Sequence, residues 1–344
     1  MSSKKLEDKL EYKRKAITVK QETRKRKRES WEKFVNNLEH DTYRLKPKVY
    51  KILKFMSKDV KETVKLNGGI DENKFLQYYN ELWNSPNNDL NTIEFYEHSK
   101  DITENYISME ELNTALNLLK NGKSAGEDKI CSELYKYASE EFKSRLLTFL
   151  NNIYIKHKIP TEWRNAIVIP LYKKGDRKNP KNYRGISILN SCYKIYSKIL
   201  NFKLQTHSEK FMTETQHGFR KGRSCIDPIF CLKLLIEKRR EFNLETHILF
   251  VDYEKAFDCV KRELLFNIMK SKDIPSYLLN AVIDIYNNNQ IQIKYNSKLS
   301  LKMKINRGVR QGCSLSPTLF NIYLHDIITK WQKENLIGIP ISRN

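Results

Sequence analysis

Four consecutive apolar residues at 248–251 lead directly into Asp252 in the stretch "HILFVDYEKAFDCV", and a helix-like stretch follows. A short apolar run of this kind predicts a buried strand that ends at the acid. A carboxylate there needs a cationic side chain or a metal ion beside it, because a lone buried charge is costly. Structural ion pairs are the commoner solution, so the run alone leaves both interpretations of Asp252 open.

The charge balance indicates a polyanionic partner. The 344 residues carry 63 Lys and Arg against 41 Asp and Glu, a formal net charge of +22. This excess favours nucleic acid or an acidic membrane surface. No apolar run is long enough to span a bilayer and the N-terminus has no signal-peptide core, so we expect nucleic acid and no membrane. The six cysteines form no C-x-x-C pair, which argues against a zinc site and fits an intracellular location, in cytoplasm and nucleus.

The N-terminal region is densely basic. Its first sixty residues hold nineteen Lys and Arg against nine Asp and Glu, and apolar residues recur at helical spacing. We therefore predict amphipathic helices with basic faces. The most basic cluster, "RKRKR", consists of Arg24, Lys25, Arg26, Lys27 and Arg28. A solvated helix face, a nuclear import signal and an RNA-binding segment all remain open for this cluster.

Helices and hairpins alternate along the rest of the chain. Ser108 and Glu111 form a capping box that opens a helix. Two β-rich runs at 165–172 and 185–189 predict a hairpin with a long basic tip. Further predicted elements are a helix from 191, helices at 260–270 and 276–287, a hairpin from 290, and a last helix. In that last helix we expect Ser316 to be the cap, Pro317 to lie in the first turn, and Leu319, Phe320, Tyr323, Ile327 and Trp331 to form the apolar face.

Several segments, taken in order, resemble the reverse transcriptases of non-LTR (LINE-type) retrotransposons. They are "LLKNGKSAGEDKI", "IPTEWRNAIVIPLYKKGD", "NYRGISILN", "QHGFRKGRS", "FVDYEKAFD" and "RGVRQGCSLSPTLFNIYLHDI". Together they cover about residues 107–332. The resemblance implies an RNA-directed DNA polymerase that extends a DNA primer on an RNA template with dNTPs.

The resemblance also implies roles for particular residues. Asp252, with the backbone carbonyl of Tyr253, would bind two Mg²⁺ ions, with Mn²⁺ as a possible substitute. Phe257 would exclude a ribose 2′-OH, although core packing is the plainer role. Nucleotide and nucleic-acid contacts would come from further residues: Lys173, Lys174 and Arg184 for the triphosphate; Gln311 and Gly312 for the templating pocket; Arg220, Lys221 and Arg223 for nucleic acid. The plainer alternatives are an exposed basic loop and an ordinary turn before a helix.

Asp258 is expected not to bind metal but to pair with a basic residue or to cap the next helix. The family's remaining metal-binding acids are adjacent aspartates in a Y/F-A-D-D hairpin, and this sequence has no Asp-Asp pair. One carboxylate is too few for two ions. We therefore expect a fragment that ends before that hairpin and that lacks polymerase activity by itself.

Three alternatives compete with a reverse transcriptase. An RNA-dependent RNA polymerase fits the Asp252–Asp258 spacing, but Phe257 and the "QG" pair argue against it. A group II intron maturase remains open. So does a catalytically silent nucleic-acid-binding remnant, which the charge and the missing acids support.

The expected fold is α+β: reverse-transcriptase fingers and a partial palm of the right-hand polymerase type, preceded by a basic helical arm. The expected divisions are a basic helical region at 1–83, a linker at 84–106, fingers and the fingers–palm connection at 107–240, and an incomplete palm at 241–344.

Overall fold

The computed structural model describes residues 72–84, 95–96, 106–295 and 298–334, together with isolated helical positions at 11, 15, 18, 21, 22 and 29. The chain divides into two compact units, 1–65 and 66–344, and every element named below belongs to the second. The "RKRKR" cluster and nearly all of the predicted linker lie outside the described residues.

The second unit is an α+β structure. Its helices are α1 (Glu72–Trp83), α2 (Met109–Asn117), α3 (Ser132–Lys136), α4 (Glu140–Lys156), α5 (Thr161–Arg164), α6 (Ser191–Ser208), α7 (Ile226–Glu241), α8 (Arg262–Ser271), α9 (Ser276–Tyr286) and α10 (Ser316–Lys333). Its strands are β1 (Asn165–Tyr172), β2 (Tyr183–Ile188), β3 (Gln290–Tyr295), β4 (Lys298–Leu299) and β5 (Met303–Lys304). The capping box at Ser108 and both strands of the predicted basic hairpin are confirmed.

The strands form one mixed sheet in the order β2–β1–β3–β4, and β5 also pairs with β3. β1 and β2 are antiparallel, with Tyr172 opposite Tyr183, whereas β1 and β3 are parallel. Parallel neighbours need a crossover connection. Here the crossover contains β2 and the helices α6 to α9, which all lie in the chain between β1 and β3.

Helix α9 lies at the centre of the core. Every residue from Leu278 to Tyr286 is buried, including the polar residues Asn280 and Asp284. Such a helix is stable only when other elements cover it on all sides. Helices α6 and α5 both contact it, and α6 buries its own apolar face from Tyr193 to Leu204. This centre gives the sheet and its loops a rigid support.

Helix α1 packs into the same core through aromatic side chains. Phe75, Tyr79 and Trp83 are each no more than 6% exposed, and the rings of Tyr79 and Trp83 stack at 4.5 Å. The structure divides the chain after residue 65, whereas the sequence predicts a division after residue 83. The two differ because α1, which the sequence assigns to the end of the basic region, buries its aromatic face against the sheet.

Two sequence predictions are wrong at the C-terminal helix. Leu315, not Ser316, occupies the N-cap, and the Ser316 hydroxyl donates instead to the carbonyl oxygen of Arg310 at 2.7 Å. Of the predicted apolar face, Leu319 is buried and Phe320 and Tyr323 are half-buried, whereas Ile327 and Trp331 are 41% and 47% exposed. Helix α7 is a related case, because none of its residues is buried.

Candidate functional site

The basic hairpin tip is held open and presents its cations to solvent. The Tyr183 hydroxyl donates to the carbonyl oxygen of Arg177 at 2.8 Å, which fixes the tip against β2. Lys173, Lys174 and Arg184 are exposed, and no described acid pairs with any of them. Exposed cations without an acidic partner are suited to bind phosphate oxygens.

Lys255 ties the segment after Asp252 to this hairpin. Its ammonium group donates to the carbonyl oxygens of Lys181 and Tyr183, at 3.1 and 2.9 Å. Burial lowers the pKa of Lys255, against the raising effect of the nearby acids Asp258 and Glu254, and the cations Lys173 and Arg184 add to the lowering. The hairpin residues that are predicted to contact the nucleotide therefore lie beside the acidic stretch that contains Asp252 and Asp258.

The predicted buried strand before Asp252 is not formed. Residues 244–253 have no regular secondary structure, and Leu249 and Phe250 are 88% and 80% exposed. The side chain of Asp252 is exposed as well. A strand needs a hydrogen-bonding neighbour, and no described strand lies beside this run. The expectation of a carboxylate at the end of a buried strand is therefore wrong for this structure.

Asp258, by contrast, is buried, and each of its two carboxylate oxygens accepts a hydrogen bond. The indole nitrogen of Trp83 donates to its Oδ1 at 2.9 Å, and the Gln311 side chain donates to its Oδ2 at 2.8 Å. Burial raises the pKa of this carboxyl, against the lowering effect of the Trp83 hydrogen bond. The prediction that Asp258 pairs with a basic residue or caps the next helix is wrong. Lys261 occupies the N-cap of α8, and Asp258 forms no ion pair in the described part of the chain.

The "QG" turn is locked to β2. The backbone N–H of Ser187 donates to the carbonyl oxygen of Gln311 at 2.8 Å. Gly312 has φ +117°, and a Cβ there would approach the Ser187 carbonyl oxygen to 2.8 Å. Only glycine fits this conformation and this distance. The structure thus brings the "QG" pair directly to the strand of the basic hairpin.

Phe257 is held next to the segment just before the "QG" turn. Its carbonyl oxygen accepts from the N–H of Val309 at 2.8 Å, which fixes the backbone below the ring. The ring is partly buried and meets Phe320 edge-on at 5.3 Å, and Phe219 lies 6.5 Å away. Tyr253 also contacts Phe320, at 6.3 Å. Phe257 therefore belongs to an aromatic group at the core edge, which is compatible with either predicted role.

The arginines of the "QHGFRKGRS" loop mostly serve the loop itself. Arg220 binds both carboxylate oxygens of Glu209 and donates to the carbonyl oxygens of Thr213 and Gln216. Only 5% of its side chain is exposed, and four of its five N–H donors are used within the protein, so this guanidinium is poorly placed to bind phosphate. Arg223 pairs with Glu214. Lys221 is exposed, and the predicted nucleic-acid contact fits this residue best.

Sequence reasoning missed the residues that join these segments. Trp83 falls in a region for which the sequence predicts no site. Gly308, at φ +82°, places its missing Cβ 2.9 Å from the carbonyl oxygen of Asp258. Arg262 is buried and donates to the carbonyl oxygens of Tyr286, Ile305, Arg307 and Gly308. The "RGV" triplet before "QG" was the available signal for Gly308; Trp83 carried none.

The described residues do not by themselves fit a two-ion site. Among them, no group of three or more His, Cys, Asp or Glu side chains is placed to hold a metal ion. Asp258 directs its oxygens to Trp83 and Gln311 rather than toward Asp252. A divalent ion needs several oxygen ligands, so Asp252 and the Tyr253 carbonyl are at most part of such a set.

The helices in the described part of the chain include none that could cross a bilayer.

Comparison with known proteins identifies the family. Residues 172–343 match the family described as reverse transcriptase (RNA-dependent DNA polymerase). The chain is 28% identical over 246 residues to the transposon TX1 uncharacterized 149 kDa protein of Xenopus laevis, covering 72% of this chain and 19% of that protein.

Two further relatives are similar over shorter stretches. The chain is 25% identical over 224 residues to the probable RNA-directed DNA polymerase from transposon BS of Drosophila melanogaster, covering 64% and 25%. It is 28% identical over 193 residues to the Pol polyprotein of type-1 retrotransposable element R2 of Popillia japonica, covering 55% and 26%. The chain thus spans about a fifth to a quarter of the length of these relatives. Since the family match covers half of its residues, the chain belongs to the reverse transcriptase family, in the branch found in non-LTR (LINE-type) retrotransposons.

Proposed function

We propose that this chain supplies the fingers and part of the palm of a right-hand RNA-directed DNA polymerase, which extends a DNA primer on an RNA template with dNTPs. The observation that carries the proposal is the junction of three segments. Lys255 donates to the carbonyl oxygen of Tyr183, Ser187 donates to Gln311, and Gln311 donates to Asp258. Basic hairpin, acidic stretch and "QG" turn thereby form one connected surface.

Within this surface, Lys173, Lys174 and Arg184 would contact the dNTP phosphates. All are exposed and without a described acidic partner, so they are free to bind an anion. Binding would replace water around these cations with phosphate oxygens, and the planar guanidinium of Arg184 can bind two such oxygens at once. Lys255 is engaged with backbone carbonyls, so we assign it a supporting role.

Phe257 would limit the space next to the sugar C2′ position, and Gln311 with Gly312 would line the templating pocket. The absence of a Cβ at Gly312 lets a base approach the backbone closely. Support for this arrangement comes from the fixed positions of both segments, because Val309 and Ser187 hold them through backbone hydrogen bonds.

Reverse transcriptases work with divalent metal ions. We propose Mg²⁺, with Mn²⁺ as a substitute, and Asp252 with the Tyr253 carbonyl as protein ligands. Asp252 is exposed and therefore accessible to a hydrated ion. The described residues contain no group of three or more His, Cys, Asp or Glu side chains that could hold the ion, so Asp252 would need ligands from outside them.

The N-terminal cluster at 24–28 would add a general contact to RNA phosphates, since its basic residues far outnumber its aromatics. We further propose that residues 107–240 form the fingers and the connection between fingers and palm, and that residues 241–344 form part of the palm. The protein would act in the cytoplasm and the nucleus.

Fluorescence anisotropy with an RNA template annealed to a labelled DNA primer tests the proposal. The double variant Lys173→Gln/Lys174→Gln should bind more weakly, and its log–log salt slope should be shallower by about 0.7–0.9 for each phosphate that is no longer neutralised. Lys156→Gln/Lys158→Gln removes the same charge from exposed residues at the end of α4 and is the matched control. Equal effects of the two double variants would contradict a site at the hairpin tip.

A further inference from the structure

Asp258 is a buried carboxylate whose two oxygens serve two distant parts of the chain. Trp83 in α1 donates to one oxygen, and Gln311 in the "QG" turn donates to the other. Residue 258 is 4% exposed, and 175 residues separate it from Trp83. A buried carboxylate without an ion pair is stabilised chiefly by such donors, so the two hydrogen bonds and the charge depend on each other.

The carboxylate fixes the side chain of Gln311 as well as its position. The backbone of Gln311 is already held by Ser187, which leaves the side-chain torsions as its remaining freedom. Donation from Nε2 to Asp258 removes that freedom and decides which end of the carboxamide faces the carboxylate. An acceptor at Asp258 therefore directs the amide nitrogen inward and leaves the carboxamide oxygen for other contacts.

Trp83 in turn fixes Asp258. Its ring stacks on Tyr79 and packs against Gly185, where a Cβ would come within 3.2 Å of the indole. The carbonyl oxygen of Trp83 accepts from the N–H groups of Asn306 and Arg307, just before the "QG" turn. Helix α1 thus contacts the acidic stretch, the hairpin strand and the approach to the turn, although it precedes the matched residues 172–343.

We infer that Asp258 and Trp83 are positioning residues for Gln311, so that α1 forms part of the templating pocket. This inference rests on the proposed function, because it takes Gln311 to contact the template. It adds that a segment preceding the family match sets the orientation of a pocket side chain.

The test compares two labelled ligands on the 344-residue chain. One is a primer–template whose RNA strand extends beyond the primer, and the other is a blunt RNA–DNA duplex of equal length. Only the first presents an unpaired template base to the pocket. Their affinity ratio, the overhang preference, isolates the pocket from general phosphate binding, whereas a purely structural defect would weaken both ligands together.

Three variants should lower this preference. Gln311→Met removes the amide at similar size, and Asp258→Asn replaces one acceptor with a donor. Each should reduce the preference by about three- to tenfold, the effect of removing one hydrogen bond. The double variant should fall no further than either single one, because both act on one contact. Trp83→Phe keeps the stacked ring but removes the N–H, so its effect should be smaller but in the same direction.

Tyr154→Phe is the control. Tyr154 is a buried aromatic residue of α4 that packs edge-on against Tyr277, and no described hydrogen bond or ring contact joins it to the "QG" turn. Its replacement should leave the overhang preference unchanged. Thermal unfolding of each preparation shows which variants are folded, and if Asp258→Asn does not fold, Trp83→Phe decides the question.

Two results would overturn the inference, and they differ in what else they affect. If Gln311→Met loses the preference while Asp258→Asn and Trp83→Phe retain it, the positioning role is wrong and the proposed function stands. If the unaltered chain binds both ligands equally, or neither, the template role of Gln311 is wrong, and the inference fails with it.

Discussion

Arg164 and Asp284 form an ion pair of 2.6 Å that joins the last turn of α5 to the centre of the core. The carboxylate is 3% exposed, and its second oxygen accepts from the backbone N–H of Ile159 at 2.6 Å. Arg164 also donates to the carbonyl oxygens of Asp284 and Asn287. The pair therefore fixes the entrance to β1, and with it the base of the basic hairpin.

Removing this arginine should be strongly destabilising. Arg164→Met leaves Asp284 buried without its cation, which typically costs about 3–5 kcal/mol. Arg145→Met is the matched control, because Arg145 pairs with Glu141 through side chains that are 81% and 76% exposed. Exposed pairs contribute about 0–1 kcal/mol. Denaturant unfolding measures the free energy of unfolding of both variants. Similar losses would show that the buried pair stabilises the fold no more than the exposed pair does.

The glycine of the "QG" turn should be far more sensitive than another glycine with positive φ. Gly312→Ala must move the Ser187 carbonyl in addition to adopting φ +117°. Gly222→Ala meets open space at φ +73° and should cost only about 1–2 kcal/mol for the conformation. We expect a larger loss of stability for Gly312→Ala in the same unfolding assay. Equal losses would argue against the close approach to β2.

Phe257 should control sugar choice in a polymerising form of the protein. A ring held beside Phe320 would collide with a ribose 2′-OH, so Phe257→Val should raise ribonucleotide incorporation relative to deoxyribonucleotide. DNA synthesis should remain measurable in single-nucleotide extension. Phe202→Val, in α6, provides a control for the removal of a partly buried ring. An unchanged ratio would assign Phe257 to core packing alone.

The "RKRKR" cluster should contribute to RNA affinity through charge. Replacing all five residues at 24–28 with Gln should flatten the salt dependence, by about 0.7 for each phosphate of a single strand that is no longer neutralised. Lys120, Lys123, Lys129, Lys156 and Lys158 are exposed lysines whose replacement removes the same charge from the second unit. A slope that responds no more to the cluster than to this control set would exclude the cluster from the RNA-binding surface.

Mild acid should destabilise the second unit through two histidines. Burial lowers the pKa of His325, and neighbouring Lys272 adds to the effect; the pKa of His207 is lowered by burial together with Lys210 and Lys203. A group whose folded pKa is depressed binds its proton more tightly when unfolded. Stability is therefore full above the unfolded pKa near 6.5 and is lost as pH falls below it.

Melting temperature measured between pH 7.5 and 5.5 gives the size of this loss, and both limits of that range are about one unit from the ordinary histidine pKa. His325→Gln should make the curve shallower, because glutamine cannot titrate. His247→Gln is the control, since His247 is exposed. An identical fall in all three proteins would place the acid sensitivity elsewhere.

Local patterns predicted most of the elements correctly. The hairpin strands were predicted at 165–172 and 185–189 because β-rich runs flank a polar turn, and they are observed at 165–172 and 183–188. Helix α2 was visible from its capping box. The prediction for the run at 248–251 was wrong for a reason of the same kind. Its composition favours a strand, but a strand also needs a neighbour, and that condition is not written in the run itself.

The candidate site shows the same contrast between local patterns, which the sequence reveals, and long-range contacts, which it does not. The roles predicted for Lys173, Lys174, Arg184, Gln311 and Gly312 follow from the family resemblance of the segments that contain them, and the structure brings the "QG" turn to the strand that carries Arg184. Trp83 was missed, since its contact with Asp258 spans 175 residues and has no periodic signature. Arg220 was identified as a nucleic-acid contact because composition does not distinguish an exposed guanidinium from one already bound by Glu209 and two carbonyls.

The burial of Arg262 affects how the fold responds to salt during purification. Its charge is surrounded by four backbone carbonyl dipoles rather than by a carboxylate at the surface. Dissolved ions screen exposed charges but act much less on a buried one. Concentrated salt should therefore strip copurifying nucleic acid from the exposed lysines while the fold stays intact, so a high-salt wash can yield clean protein without a refolding step.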